Sequence, residues 1–321
     1  MLNYGINHYT KGERAEKLMG TIRNPVGEIL TAYRKHNKLT QKEAVEALAA
    51  YNDAFASLNA VTLSRWETGT TSPSLKKKKL LILFFLEGGC LQCDECRQIT
   101  RHCFEDLYSS LHTIFTANYQ YIIGNLPERP LKEYAFHPLY TYYRKQQHIE
   151  HIIDIEEASN VPNYYTVTAK LLERWCNHPA TFAIIAERKM QHLGHFIMLK
   201  IKNEVARAIA NYERSEFSLT EEDFCPAYER GTYYAHALYG SNPKIAAKLN
   251  VEAYLFMLDN MENIDNILIF SSRDDGRTIT RNYGIEAVAE GYDEKLKMKW
   301  VGMLSPVEKI LFSDTVLKLV F

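Results

Sequence analysis

The apolar residues of this 321-residue chain repeat with two different periods, and that change constrains the fold more than any other feature. From Pro25 to Phe115 they recur every three or four residues, which predicts amphipathic helices. From about residue 148, short apolar runs alternate with helical stretches. The sequence therefore predicts a multidomain protein with an all-α domain (1–89), a helical connector (90–147) and an α/β domain with a mixed sheet (148–321).

Charge is divided unevenly between these regions. Residues 1–89 carry thirteen Lys and Arg against eight acidic residues, a net +5, and the chain total of -1 leaves -6 for the rest. A basic domain joined to an acidic one is expected when the first meets nucleic acid. The longest apolar run, Leu80 to Leu86, is far shorter than a membrane span, and the N-terminus lacks a secretory pattern. We therefore expect a cytoplasmic protein with no membrane partner.

The basic region contains the start signals of four short helices. Pro25 suits the first turn of the first helix, and Thr40 with Glu43 forms a capping box that starts the second. Asn59 and Ser74 can cap the third and fourth helices. The apolar residues of the third helix that we expect to pack inward are Val61, Leu63 and Trp66.

Two stretches, LTQKEAVEAL from Leu39 and TLSRWETGTTSPSL from Thr62, carry a specific resemblance. Leu-Thr-Gln at the second helix, Ser-x-Trp-Glu-x-Gly at the end of the third and Pro73 before the fourth resemble the DNA-binding domain of the Cro and phage-repressor class, the XRE family. The resemblance implies a helix-turn-helix whose third helix enters the major groove of double-stranded DNA. Residues 51–58 lengthen the usual turn, so we expect a modified angle for the third helix.

The same resemblance assigns residues to a DNA interface. Arg65 is suited to base readout because its guanidinium pairs bidentately with guanine. The lysine run on the fourth helix would contact phosphates, although such a run is also typical of a solvated helix face. The predicted DNA-binding residues are Gln41, Thr62, Ser64, Arg65, Lys76 and Lys77, with Arg34, Lys78 and Lys79 as further phosphate contacts. Since the family reads two half-sites with two subunits, we expect a homodimer.

Four of the six cysteines fall within fourteen residues, in a C-x2-C-x2-C-x6-C array. Thiolates two residues apart can share one metal ion, so the array predicts zinc or an iron–sulfur cluster. The predicted ligands are Cys90, Cys93, Cys96 and Cys103. Reversible disulfide chemistry and a purely structural role stay open as alternatives.

The connector also carries a helical apolar stripe with Phe104, Leu107 and Leu111. The stripe is either the seam of a dimer or a face buried within its own chain. The spacing of the residues is compatible with both alternatives.

The acidic region gives an alternating order of strands and helices. The predicted strands are 152–156, 181–187, 194–201, 233–240, 266–272, 285–290 and 296–304, and the predicted helices are 164–175, 242–261 and a segment that ends at Tyr283. The turn at Gly194, the strand-to-long-helix unit after it and the ending Tyr283-Gly284-Ile285 resemble the GNAT acetyltransferase fold. The resemblance implies that the strand before the long helix splays away from its neighbour.

The GNAT resemblance also implies a glycine-rich loop at the start of the long helix, where backbone N–H groups wrap the pyrophosphate of coenzyme A. Here Asn242, Pro243 and Ile245 occupy that loop, and Thr280 stands where the family often has Tyr. Pro243 lacks an N–H donor, and the side chain of Ile245 would obstruct a close approach of the backbone. We therefore expect acetyl-coenzyme A to bind weakly or not at all.

A cleft beside the splayed strand is the predicted ligand site, with Tyr233, Tyr234, His236 and Tyr239 as its ligand-binding residues. His236 and Tyr239 either act as a base or only line the pocket. Two H-x-x-H pairs lack an obvious third metal ligand, and the P-loop, nucleophile-elbow and H-E-x-x-H motifs are absent from the sequence. The pairs are His148 with His151 and His192 with His195.

These features together predict a DNA-binding transcriptional regulator. Its GNAT-like domain would sense a small-molecule effector and change the geometry of a dimer. One alternative is an active GNAT-type acyltransferase with an attached DNA-binding domain. Another is a regulator gated by metal or thiol chemistry at the cysteine array.

Overall fold

A computed structural model describes residues 24–88, 94–118, 123–159, 167–272 and 285–320. Contacts divide the chain into two compact units, Met1–Cys103 and Phe104–Val320, and this division falls inside the predicted connector of 90–147. The described part combines helices with a seven-stranded mixed sheet. Among the described helices, none has both the length and the hydropathy needed to cross a membrane.

The first unit contains the four predicted helices: α1 (Pro25–His36), α2 (Gln41–Tyr51), α3 (Ala60–Glu67) and α4 (Leu75–Glu87). The start signals of the first three helices work as predicted. The side chains of Thr40 and Glu43 form the reciprocal capping box of α2. Asn59 caps α3 by accepting a hydrogen bond from the backbone N–H of Thr62 at 2.8 Å. After α3, Gly69 adopts a φ of +72°, a conformation that favours glycine.

The helices of the first unit pack around a small apolar core. Leu63 and Trp66 of α3 face inward as expected, and α3 packs against both α1 and α2. Val61 does not, because its side chain is 61% exposed; that prediction was wrong. The long segment between α2 and α3 contains a short 3-10 turn, Asp53–Phe55, whose Phe55 is fully buried. Burial of Phe55 gives the lengthened turn a fixed place in the core.

The second unit, which begins at Phe104, contains the sheet and the remaining helices. Its strands are β1 (Ala135–Pro138), β2 (Phe182–Arg188), β3 (Gln191–Ile201), β4 (Gly231–Gly240), β5 (Ile264–Ser271), β6 (Ala287–Asp293) and β7 (Met298–Pro306). Its helices are α5 (Asp94–Asn118), α6 (Lys145–Ser159), α7 (Ala169–Cys176), α8 (Asn203–Ala210), α9 (Pro243–Asp259), α10 (Val307–Leu311) and α11 (Asp314–Val320).

The strands lie in the order β1-β2-β3-β4-β5-β7-β6. Neighbouring strands are antiparallel except for β4 and β5, which are parallel and are connected through α9. The long helix α9 packs on β2, β3 and β4, whereas α6 and α7 contact β3. The core on the α7 side includes Trp175 of α7 and Tyr234 of β4. The sheet is therefore covered by helices where its central strands lie.

The predicted strand at 152–156 is wrong, because these residues belong to helix α6. Ile149 and Ile152, three residues apart, are both buried on one face of the helix, so the helical period decides the conformation over the strand preference of isoleucine. The sheet instead begins with β1, before the predicted boundary at residue 148, and β1 pairs with β2. The predicted helix that ends at Tyr283 lies outside the described residues.

The apolar stripe of the connector lies on α5. Phe104, Leu107 and Leu111 are all fully buried, and the ring of Phe104 stacks on Tyr254 and meets Phe312 edge-on. Both partner rings belong to the second unit of the same chain. Of the two alternatives, the structure therefore supports a face buried within its own chain.

Candidate functional site

The predicted groove-facing residues lie on helix α3. Arg65 is exposed, whereas Thr62 and Ser64 are half-buried. Val61, with its exposed side chain, joins the same outward surface. This outward surface of α3 therefore carries a guanidinium beside smaller polar and apolar side chains.

The predicted phosphate contacts on helix α4 differ in their surroundings. Lys76 is exposed, whereas Lys77 is half-buried. The Nζ atom of Lys77 lies 5.7 Å from the centre of the Trp66 ring, a cation–π distance. Burial also lowers the pKa of Lys78. Of these three lysines, Lys76 is the one that a phosphate can reach most freely.

Gln41 and Arg34, both assigned to DNA contacts from the sequence, bind the buried carboxylate of Glu67. Gln41 donates from Nε2 to Oε2 of Glu67 at 2.8 Å, and Arg34 donates from Nε to Oε1 at 2.7 Å. The hydrogen bond to Glu67 also raises the pKa of Arg34. Since the three side chains belong to α2, α1 and α3, this cluster joins three helices. Sequence analysis missed that role.

The predicted metal site lies largely outside the described residues. Cys90 and Cys93 are not described, and Cys96 and Cys103 lie on α5 with side chains that are not described either. Among the His, Cys, Asp and Glu side chains that are described, no group of three could hold a metal ion. The zinc or iron–sulfur site stays a prediction.

Strands β4 and β5 separate along their length. They pair from Gly231 to Tyr234 of β4. Beyond that point β4 continues to Gly240 beside β3, whereas β5 continues to Ser271 beside β7. The two strands therefore open into a wedge, which is the splay that the GNAT resemblance implied.

His236 stands on the part of β4 that has left β5. The β3–β4 register shifts between Ala235 and Ala237, which makes His236 an extra residue on a β-bulge. Its ring meets Trp175 edge-on at 5.2 Å between ring centres, and its Nδ1 atom is buried with no hydrogen-bond partner. Burial lowers the pKa of His236, so the imidazole is neutral near pH 7 and keeps a free lone pair.

The four predicted ligand-binding residues do not share one wall, because consecutive strand residues face opposite sides of a sheet. Tyr233 packs edge-on against Phe256 of α9 and is almost fully buried. Tyr234 is buried on the other side, where its ring lies 5.8 Å from His236. His236 and Tyr239 are half-buried. Only Tyr234, His236 and Tyr239 are candidates for one site.

The start of helix α9, where the GNAT resemblance places a pyrophosphate loop, is closed by its own chain. Asn242 is almost fully buried, and its Oδ1 atom accepts a hydrogen bond from the backbone N–H of Ile245 at 3.1 Å. The backbone N–H of Leu126 donates to the carbonyl of Ser241 at 2.9 Å, which places another segment of the chain over this turn. A donor that an anion would use is therefore already paired.

The two H-x-x-H pairs of the sequence come together between α6 and β3. His148 and His192 lie 2.9 Å apart, measured between their Nδ1 atoms, and Nε2 of His192 lies 3.1 Å from Nδ1 of His195. At the other end, Nε2 of His148 lies 3.2 Å from Oε2 of Glu187. Three imidazoles and one carboxylate thus form a continuous hydrogen-bonded chain.

Each end of this hydrogen-bonded chain, Glu187 and His195, has further polar neighbours. Glu187 accepts a hydrogen bond from the hydroxyl of Tyr142 at 2.7 Å, and Nε2 of His137 lies 3.7 Å from its Oε1 atom. His195 is fully buried, and its Nε2 atom has no hydrogen-bond partner but lies 3.7 Å from Oε1 of Glu156. The spacing of the histidines marked them as candidates, but no signal in the sequence singled out Glu187 or Glu156.

Burial lowers the pKa of two of these histidines, His192 and His148. The pKa of His192 falls to about 2, mainly because the ring is buried and also because His195 and His148 lie near it. Burial also lowers the pKa of His148, and this effect exceeds the opposing influence of Glu187. Both rings are therefore neutral near pH 7, with one donor and one acceptor nitrogen each.

A separate open cavity of about 900 Å³ lies beside helix α7. Arg174, His178 and Phe224 are among its lining residues. None of the four predicted ligand-binding residues lines it. We place the candidate site at the β4–β5 opening, because that is where neutral, unpaired imidazole nitrogen and the strand splay coincide.

No protein-family profile matches this sequence, and no curated protein matches it. Solved structures that are similar to the chain include FeeM, an N-acyl amino acid synthase from uncultured soil microbes, at 12% identity and a TM-score of 0.39 over 57% of this chain and 94% of that one. An N-acetyltransferase from Staphylococcus aureus Mu50 is 6% identical, with a TM-score of 0.37 over 54% and 97% of the two chains. Arabidopsis thaliana NAA60 in complex with acetyl-CoA is 10% identical, with a TM-score of 0.37 over 54% and 99%. TM-scores below 0.5 do not identify a shared function, so the assignment depends on this chain's own residues.

Proposed function

We propose that the second unit is a GNAT-type acyltransferase that moves an acyl group from a thioester to an amine, and that the first unit is a DNA-binding domain attached to it. The observation that carries the proposal is the β4–β5 opening, with His236 and its unpaired Nδ1 atom on the part of β4 that has left β5. A wedge between strands admits a narrow thioester arm. A neutral imidazole beside it can accept the proton that the attacking amine must lose.

The test is release of free thiol from acetyl-coenzyme A by the full-length protein, in the presence of a panel of primary amines. Wild-type protein should release thiol only when an amine is present. His236→Gln should lower kcat about a hundredfold, the range in which general-base catalysis contributes. Its melting temperature should stay close to that of the wild type if the substitution leaves the fold intact.

The matched control is His178→Gln, since His178 is also a half-buried histidine with a pKa lowered by burial, but lines the separate cavity. Turnover should persist in this variant. Loss of turnover in His178→Gln and not in His236→Gln would move the active site to the cavity. No thiol release by the wild type with any amine or acyl thioester would refute the acyltransferase. If an acyl thioester binds without turnover and changes the affinity of the protein for DNA, that result would favour a ligand-sensing regulator.

The first unit is proposed to bind double-stranded DNA through α3, as a homodimer. This proposal is supported by the exposed Arg65 on helix α3, which Asn59 caps, and by the net charge of +5 over residues 1–89. On a site selected from random duplexes, Arg65→Ala should weaken binding by about 1–3 kcal/mol and relax the base preference. Lys76→Ala should weaken binding to all duplexes alike and reduce the salt dependence by about one charge. Equal losses on selected and random DNA would contradict the role of Arg65.

A further inference from the structure

The chain formed by Glu187, His148, His192 and His195 has a defined hydrogen-bond direction. Ionised Glu187 can only accept, so Nε2 of His148 must donate to it. Nδ1 of neutral His148 is then an acceptor and accepts a hydrogen bond from the Nδ1–H group of His192. Nε2 of His192 in turn accepts a hydrogen bond from the Nδ1–H group of His195. This order leaves a lone pair on Nε2 of His195, which is the buried nitrogen without a hydrogen-bond partner.

The free end of this chain lies next to the candidate site. His195 pairs across the sheet with Tyr239, on the part of β4 that has left β5. The carboxylate of Glu156 lies 3.7 Å from Nε2 of His195 and also acts on His236, whose pKa it raises against the larger effect of burial. The other end, at Glu187, has half-exposed His137 beside it. The hydrogen-bonded chain therefore runs from His195, beside β4, toward β1 at the edge of the sheet.

We propose that these three histidines form a proton relay that carries away the proton released by the acceptor amine. This inference rests on the proposed acyl transfer, in which the C–N bond forms, the C–S bond breaks and the leaving thiolate takes a proton from solvent. A proton that arrives through Glu156 binds Nε2 of His195. The Nδ1 proton of His195 then moves to Nε2 of His192, and the Nδ1 proton of His192 moves to Nδ1 of His148. The Nε2 proton of His148 moves to Glu187. One proton has entered at His195, and one has left the imidazoles at Glu187, from which it reaches solvent.

The geometry favours a relay over a metal site. Each of His148 and His192 uses its two ring nitrogens toward two different neighbours, so the nitrogens do not converge on one point. The groups that face the relay from the packed elements include Tyr142, Arg144, His151 and Glu156 around α6, His137 on β1, and His236 and Tyr239 on β4.

The direction of the hydrogen bonds along the relay can be measured without turnover. Nitrogen NMR of the full-length protein labelled at histidine should show the Nε2–H tautomer for His148 and the Nδ1–H tautomer for His192 and His195. The opposite tautomers would overturn the proposed direction. Zinc bound in one-to-one ratio, and lost from a variant without His148 or His192, would replace the relay with a metal site.

The catalytic test removes the middle ring. His192→Phe keeps a planar ring but has no nitrogen, so kcat should fall tenfold or more with little change in KM, and its pH profile should change. His151→Phe is the matched control, because His151 stacks on His192 at 6.1 Å but lies outside the hydrogen-bonded chain. Its kcat should stay within about twofold of the wild type, the margin we allow for an uninvolved histidine.

The outcomes separate the two proposals. Transfer by the wild type with equal kcat in His192→Phe and His151→Phe would refute the relay alone. No transfer by the wild type would refute the acyltransferase, and the relay with it.

Discussion

At the residue scale, Glu67 joins the helices of the first unit. Its side chain is 6% exposed and accepts hydrogen bonds from Arg34 and Gln41, which belong to two other helices. Removing one partner of a buried pair leaves the other charge desolvated without compensation. A carboxylate that resembles a surface residue in the sequence therefore has a large influence on the stability of this unit.

We predict that Glu67→Ala lowers the stability of the first unit by about 2–4 kcal/mol, since it leaves Arg34 and Gln41 without this acceptor. Amide hydrogen exchange of α1–α3 in the full-length protein measures the effect. Lys42→Ala is the control, because Lys42 and Glu46 form an exposed pair at 3.8 Å. Exposed pairs contribute about 0–1 kcal/mol. Equal exchange rates in the two variants would show that the Glu67 cluster contributes little.

At the scale of single elements, the N-terminus of α9 decides how the acyl donor, a coenzyme A thioester, can be held. Helix N-termini bind anions because their first N–H groups are free. In α9 the side chain of Asn242 accepts a hydrogen bond from one of these N–H groups, and Pro243 has no N–H group. The expectation, drawn from the sequence, that the pyrophosphate of coenzyme A is held weakly here stays a prediction.

We predict that the second unit does not distinguish acetyl-coenzyme A from acetyl-pantetheine, which carries the same thioester but no pyrophosphate. The values of kcat/KM for the two donors should agree within about threefold, since a factor of ten would already correspond to 1.4 kcal/mol of binding. Thiol release with each donor in turn measures this. A preference of a hundredfold or more for the coenzyme would mean that the α9 turn holds the pyrophosphate after all.

At the scale of the whole molecule, buried neutral histidines make folding depend on pH. The pKa of His192 is about 2 in the folded protein against an ordinary value of 6.5. Between these values the unfolded chain holds more protons than the folded one, so stability falls as the pH falls. Burial lowers the pKa of His148, His178 and His236 as well, and these residues act in the same direction.

We predict that His192→Phe has a weaker pH dependence of stability than the wild type. Each pH unit below the unfolded pKa costs about 1.4 kcal/mol for one such histidine. Between about pH 7 and pH 5 the wild type should therefore lose about 2 kcal/mol more than the variant. Urea unfolding of both proteins at the two pH values provides the measurement. Parallel losses would mean that folded His192 titrates normally.

The local signals of the sequence determined the helices of the first unit, because each depends on residues only a few positions apart. The capping box of Thr40 and Glu43, the cap at Asn59 and the glycine after α3 all act as predicted. The strand-to-helix unit of β4 and α9 follows from the same kind of signal. Where local signals competed, as in α6, burial of one helix face decided the outcome.

Only the tertiary structure decided which side chains meet. The hydrogen bond between His148 and His192 joins residues 44 positions apart, and the one between Gln41 and Glu67 joins residues 26 apart. Periodicity predicts which face of an element is buried, but it does not determine which partner that face meets. The sequence therefore identified the two H-x-x-H pairs and the splayed strand. Packing of α6 against β3 was needed to join three of those four histidines in one hydrogen-bonded chain that ends beside Tyr239 of β4.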